Sequence, residues 1–290
     1  MSFMRFYLLL TLLCSNALMS ACSSSQQPSG DANLSIGAIP SGEYSSFSQY
    51  FSKHVSVFGV HVFASSNTPD DKVLHAAHVL AQYLDNDEDG VVDDAALLAE
   101  MTERPGGASL IMFADEAEIE NSGVFDSESL DSFRMQDLYG EETHPAGSSA
   151  NGGFDATLEE VWHLISSKGH SGLRPDVFGE EEGSALAEAM DLARGGHFQD
   201  IPSSYPDGAW YHYDDPTCEY QCQVTEYFYW ALTSLLGAQD YPGRCDEIAV
   251  EWELCSREQV QSGDVAAFEL LTDATYSLPT VLPDGSYQSE

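Results

Sequence analysis

Basic residues are what this chain has least of. Lys and Arg together number 10, against 48 Asp and Glu, for a formal net charge of −38. A protein that grips nucleic acid neutralises phosphates with Lys and Arg, so this balance argues against a nucleic-acid partner. It argues equally against docking through a basic face on anionic lipid headgroups. Long apolar runs are also missing. After Ala21 none approaches the ~20 residues that span a bilayer. There is no Gly-x-Ser-x-Gly elbow and no phosphate-binding glycine loop, so neither a serine-hydrolase nor a nucleotide-binding reading has a motif to stand on. Disorder is excluded by what is present: at 43% hydrophobic and 11% aromatic residues, the chain can bury a core. Most of the carboxylates read as a solvated surface suited to salty water, where screening tolerates self-repulsion. The remainder concentrate cations near the surface, which suits metal sites.

The N-terminus carries the most specific signal. Arg5 is followed by the apolar run Phe6 to Leu13, too short to cross a membrane. Ser20, Ala21 and Cys22 come next. Charge, apolar core and small residues in that order make a secretory signal, residues 1–21. The run Leu18-Met19-Ser20-Ala21-Cys22 resembles the bacterial lipobox. That resemblance implies cleavage before Cys22, a diacylglyceryl group on its thiol and an acyl group on its new N-terminus. Acyl chains in that number anchor stably where one would not. Ser23, at the second mature position, resembles outer-membrane sorting, so the expected location is the cell envelope. Residues 22–40 read as a lipidated flexible tether, rich in Ser, Gln, Pro and Gly from Ser23 to Gly30. Residues 41–290 read as one globular domain, with no internal repeat and no dividing linker.

Six cysteines occur. Cys14 leaves with the signal and Cys22 is lipidated. Cys218, Cys222, Cys245 and Cys255 remain, an even number in an oxidising compartment, so two disulfides are expected with the pairing open. Their spacing fits no zinc ribbon well.

Apolar periodicity predicts a strand over Val55–Ala64 and another over Ser109–Ala114. It predicts helices over Asp71–Leu84, Asp93–Glu103, Thr157–Ser167, Glu181–Arg194 and Gln223–Leu236, and an extended, turn-rich tail from Ser277. The fold class is therefore α+β, helix-dominant, with a small sheet and an acidic loop between two helices.

That loop, Asp85-Asn86-Asp87-Glu88-Asp89-Gly90, resembles the start of an EF-hand or dockerin-type calcium loop. Counted from Asp85, the carboxylates Asp87 and Asp89 fall at positions three and five and Gly90 at the sharp turn. Val91 offers its carbonyl, and Asp93 stands at nine. The loop spans 85–96. Ala96 stands where the bidentate Glu belongs, which implies weak affinity or a further carboxylate; Asp94 and Glu100 are the candidates. Calcium is the expected cation.

A second motif lies on the predicted helix at 157–167. Glu159-Glu160-Val161-Trp162-His163 resembles the His-Glu-x-x-His helix of zincin metallopeptidases, with Glu159 in place of the first His. The resemblance implies Glu159 and His163 as zinc ligands, four apart on one helix face, and Glu160 as the base that activates water. For the third ligand the candidates are Glu226 on a later helix and His170, with His144, His197 and His212 as looser ones. A capping box formed by Thr157 and Glu160 is the competing structural reading. His75 and His78 read as lying on the solvated face of their helix. The aromatic-acidic run Trp210 to Asp215 reads either as the lining of a sugar or peptide cleft or as a core edge.

The functional expectation is a lipid-anchored envelope protein that binds calcium and is a candidate zincin-like, peptidase-like metallohydrolase, with a peptide or polysaccharide ligand. The alternative is a non-catalytic surface binding protein stabilised by calcium and disulfides. The anchor has a direct test. Cys22→Ala abolishes palmitate labelling and moves the protein out of the membrane fraction; unchanged labelling refutes the lipobox reading.

Overall fold

The computed structural model describes residues 34–149 and 153–289. Cys22, the signal and the first part of the tether lie outside them. Four strands are present among the described residues: β1 Lys53–Val57, β2 Val60–Ala64, β3 Ala108–Phe113 and β4 Arg134–Tyr139. They form one sheet in the order β1-β2-β3-β4, with β1 and β2 antiparallel and the other two pairings parallel. β3 is buried at every position, and a strand apolar on both faces needs cover on both. The pleat divides that cover. Val62, Leu110, Met112 and Leu138 point into the larger, helix-rich core, while Phe63, Ile111 and Phe113 meet Phe47, Phe51 and Ile119 in a smaller aromatic one.

The α-helices are α1 Asp70–Leu84, α2 Ala95–Thr102, α3 Glu116–Ser122, α4 Thr157–Ile165, α5 Ser171–Leu173, α6 Pro175–Phe178, α7 Ala185–Ala193, α8 Tyr220–Leu236, α9 Arg244–Ile248, α10 Arg257–Gly263 and α11 Val265–Leu271. Helix thus dominates a small mixed sheet, as the α+β reading requires. None of these helices is long and apolar enough to cross a membrane. A five-residue π-turn, Ser166–His170, joins α4 to α5. It presses Gly169 so close to α2 that a Cβ there would sit 2.6 Å from Leu97 Cδ1.

The expected single strand over Val55–Ala64 is a hairpin. Phe58 and Gly59 turn it with φ of 50° and 94°, the paired positive dihedrals of a tight hairpin turn. Phe-Gly lacks the Asn or Asp that usually marks such a turn. The strand β4 escaped the periodicity reading because it is only half-buried, with Leu138 alone fully inside. Two helix starts also differ: α7 begins after its cap Ser184, whose hydroxyl accepts from Ala187 N, and α8 begins at Tyr220.

The disulfides join Cys218 to Cys222 and Cys245 to Cys255. Both close short loops at the edges of α8 and α9, so each constrains its own neighbourhood more than the whole chain.

The tail is extended as expected, and it is docked. Gln82 Oε1 accepts from the backbone of Asp284 (3.0 Å) and Gly285 (2.8 Å). Asn86 Oδ1 accepts from Thr280 and Val281 at 2.8 and 2.9 Å. Gly285, at φ +78°, lies against His75; a Cβ would stand 2.1 Å from His75 Nδ1. Only glycine fits there.

Candidate metal centre

α4 carries its apolar residues Leu158, Val161, Trp162 and Ile165 on one stripe, and all four are buried. The stripe packs the helix against α1, the sheet and α8. That placement turns Glu159, Glu160 and His163 toward β4 and α8, where Glu226 waits.

The start of α4 overturns the capping-box reading. Ala156 stands at the N-cap, and no side chain caps from there. Thr157 is buried, and its hydroxyl has no hydrogen-bond partner. Asp155 does the work instead: its Oδ1 accepts from Thr157 N (3.3 Å) and from His144 N (2.9 Å). Glu160 does not bend back to Thr157. Its Oε2 accepts a hydrogen bond from Gln136 Nε2 on β4 at 2.7 Å.

Glu159, Glu160 and His163 each bring one ligand atom within 4.8 Å of the others. His163 Nδ1 is 3.5 Å from Glu160 Oε2, and His163 Nε2 is 3.5 Å from Glu226 Oε2. The side chains of His163, Glu226 and Glu160 are 7%, 14% and 22% exposed, so water screens them little. Burial pushes the Glu159 pKa well up, and the Glu226 and Glu160 charges push it further. Burial alone would pull His163 down, but Glu226 and Glu160 outweigh it and hold the imidazole well above its ordinary value. Three carboxylates therefore face one imidazole. Among the described residues, no Lys or Arg forms an ion pair with any of the three.

Of the residues expected from sequence, Glu159, Glu160, His163 and Glu226 are brought together. His170 is not with them. It ends the π-turn and packs among Trp162, Phe178 and Phe228. Burial there, with the nearby Arg174 charge, drops its pKa to about 3. It packs as a neutral aromatic ring rather than joining the ligand set. His144 lies at the Asp155 turn, His197 pairs with Asp191 (2.7 Å) and His212 bonds Ala209 O (2.9 Å). The run from Trp210 is a core edge: Trp210 Nε1 donates to Asp264 and the buried Tyr211 donates to Gln223 O. His75 is a correction as well. It is buried, not solvated, and its Nε2 is 2.7 Å from Asp155 Oδ2. His78 is half-buried beside it. Gln136 and Glu142, which frame Glu160 from β4 and the turn after it, left no sequence signal; polar residues on a half-exposed strand look like surface.

In the acidic loop, Asp85, Asp87 and Asp89 converge within 4.8 Å. Asp85 is buried and accepts from Asp89 N (3.2 Å), Gly90 N (2.9 Å) and the Tyr287 hydroxyl (2.6 Å). Asp93 Oδ2 accepts from Asn86 N at 2.9 Å. Burial raises the pKa of both Asp85 and Asp93, and neighbouring aspartates add to it. Asp94 and Glu100 do not complete this shell. Asp94 caps α2 and pairs with Arg174 at 2.6 Å, and Glu100 pairs with Arg104 at 2.8 Å. Tyr287 and Glu88 stand in a place the motif does not foresee: Glu88 Oε2 accepts from Gln288 N, so the tail closes over the loop.

No family model, no curated protein and no solved structure matches this chain.

Glu142 gives the site a pH signature. Burial, then the charges of Glu160, Asp137 and Glu141, raise its pKa to about 7. A carboxyl whose folded pKa lies above its unfolded value contributes stability at low pH, and that contribution is lost as pH rises through about 7. Glu142→Gln keeps an acceptor for Tyr139 N and never ionises. The variant melts a few degrees above the wild type at pH 8 and level with it at pH 5; equal melting curves at both values contradict this account.

Proposed function

We propose that this chain is a lipid-anchored envelope protein with two metal sites: a calcium loop at Asp85, Asp87, Asp89, Val91 and Asp93, and a transition-metal centre held by Glu159, His163 and Glu226. The observation that carries the second site is His163 Nε2. It is shielded from solvent, lacks a hydrogen-bond partner and is turned toward Glu226 from the opposing helix. Three carboxylates around one imidazole, with no Lys or Arg paired to them among the described residues, leave buried negative charge that a divalent cation would neutralise. The donor set, one imidazole and carboxylates, suits zinc. Bound there, the metal would supply Lewis acidity and lower the pKa of a water, the chemistry of a zincin-like hydrolase acting on peptide-like substrates. The zincin resemblance would make Glu160 the group that takes the water's proton. At the loop, alternating carboxylates suit a hard cation, and the absent Glu at Ala96 implies weak affinity, ~0.1–1 mM as in extracellular modules.

The second reading, a non-catalytic binding protein, draws support from the closure of the same centre. At 7% and 14% exposure, His163 and Glu226 offer a polymeric substrate little surface. A cleft of about 320 Å³ elsewhere, lined by His75, Ser148, Asp155, Tyr241 and Asp284, is the surface such a protein would offer.

Elemental analysis decides between the two. Protein purified in mild detergent without chelator, then supplied with zinc, carries close to one equivalent, and His163→Ala carries none. Less than a tenth of an equivalent in the wild type ends the hydrolase reading and leaves the binding protein. The loop is tested separately. Millimolar calcium raises the melting temperature, and Asp87→Ala removes most of the rise; calorimetry showing no calcium heat in that range refutes the calcium assignment.

A further inference from the structure

The acidic loop carries two sets of side chains. Asp85, Asp87 and Asp89 converge on one another, and of these Asp87 and Asp89 are exposed. Asn86 and Glu88, at the positions between them, are half-buried and bond the tail. Asn86 Oδ1 accepts from Thr280 N and Val281 N, and its Nδ2 donates to Val281 O at 2.9 Å. Glu88 Oε2 accepts from Gln288 N at 2.9 Å. Gly90 continues the alternation: a Cβ there would stand 3.4 Å from Ser289 Cβ. In a calcium loop of this type positions one, three and five ligate, and positions two and four do not. One short segment therefore offers one set of side chains to an ion and the other to the tail.

Gln82, in the last turn of α1, joins this contact to the cleft. Its Oε1 accepts from two backbone amides, Asp284 N and Gly285 N, which fixes the orientation of the side-chain amide. Its Nε2 donates to Glu88 Oε1 and to Asp284 Oδ1, both at 2.9 Å. Both donors and both acceptor positions of the amide are thereby used. Leu282, Pro283 and Asp284 form one wall of the cleft of about 320 Å³ that His75 and Asp155 also line. The tail residues before them, Ser277, Thr280 and Val281, line a second cavity of about 320 Å³ together with Asp87 and Asp93. Asp87 and Asp89 are exposed with the tail in place, so a cation reaches the loop without displacing it.

We propose that calcium in the loop and docking of the C-terminal tail are positively coupled, so that the ion fixes the tail wall of the cleft. The coupling rests on the calcium reading of the loop. Like charges push the carboxylates of the empty loop apart, and a cation draws them together and fixes the backbone between them. That backbone presents Asn86 and Glu88. Glu88 is held at φ +57°, a left-handed conformation uncommon for a residue with a side chain, and in it the carboxylate bridges Gln82 and Gln288. The Tyr287 hydroxyl, 2.6 Å from Asp85 Oδ2, ties the tail to a ligand directly. A loop ordered by the ion is already ordered for the tail, and by linkage the docked tail raises the affinity for the ion.

Calorimetry with calcium chloride, together with hydrogen exchange read by mass spectrometry, tests this on the full protein in mild detergent. Millimolar calcium slows exchange in the tail, Ser277 to Ser289, by about tenfold, within the usual range of coupling between linked sites, and by more than it slows exchange in β3. Gln82→Leu and Asn86→Ala change no charge and, in the calcium reading, no ligand side chain. Both nevertheless bind calcium more weakly, by up to the factor with which calcium slows the wild-type tail, because linkage is reciprocal. Tyr287→Phe keeps the buried ring, acts in the same direction and serves if either of the other two fails to fold. With calcium heat present in the wild type, two results overturn the coupling alone: tail exchange that calcium leaves unchanged or speeds, or variants whose tails exchange freely while calcium affinity stays at the wild-type value. No calcium heat in the wild type overturns the calcium reading, and the coupling with it.

Discussion

The buried stripe of α4 is the contact on which both the fold and the centre depend. Leu158, Val161, Trp162 and Ile165 are each at most 5% exposed, and side chains of this kind contribute about 1.5–3 kcal/mol apiece on burial. Their packing ties the sheet and α1 to α8. It also forces the opposite side of the same helix, with two glutamates and a histidine, into contact with a third glutamate. Repulsion among those carboxylates works against folding. The stripe offsets it, so apolar packing here holds together a polar arrangement that would not assemble unaided. A helix with a weaker apolar face would relax away from Glu226 and let water in.

The sequence told unevenly, and the reasons are physical. The helices α1, α4 and α8 were legible because each repeats apolar residues at helical spacing, and Gly237 at φ +87° ends α8. β3 was legible as a run apolar on both faces. The hairpin turn was hidden in Phe58-Gly59, where only the second residue carries the usual preference for positive φ. Within the centre, Glu159, Glu160 and His163 were readable because they share one helix. Glu226 was readable only as a carboxylate on a later helix that resembled a family's third ligand. Gln136, Glu142 and the His75–Asp155 pair could not be read, since each depends on contacts between elements far apart in the chain.

The acidity of the chain also divides into kinds once the fold is known. Some carboxylates cap or pair locally: Asp94 with α2 and Arg174, Asp155 with His75 and the start of α4, Asp264 with Trp210, Tyr227 and the start of α11. For Asp94 and Asp155, favourable partners outweigh the burial penalty and hold the pKa below the ordinary range. Asp85, Asp93, Glu142 and Glu159 go the other way, held high by burial and by one another. The two groups differ in which effect wins. In the first, attraction to partners outweighs burial; in the second, burial and neighbouring like charges outweigh the hydrogen bonds that Asp85, Asp93 and Glu142 also accept, and those carboxylates gather in two places where the sequence resembles metal motifs.

The tail and the acidic loop impose an order on how the molecule is made. Asp85 and the Tyr287 hydroxyl that bonds it are 202 residues apart, and so are Gln82 and the Asp284 backbone. At the usual ~5–20 residues per second of synthesis, α1 and the loop emerge roughly 10–40 s before the segment that closes over them. Contacts so distant in sequence are also slow to form once the chain is whole. Throughout that interval Asp85 is hydrated and the carboxylates of the loop lie open to whatever ions surround the nascent chain. The clasp is therefore a late event in the life of each molecule, laid over a loop that already exists.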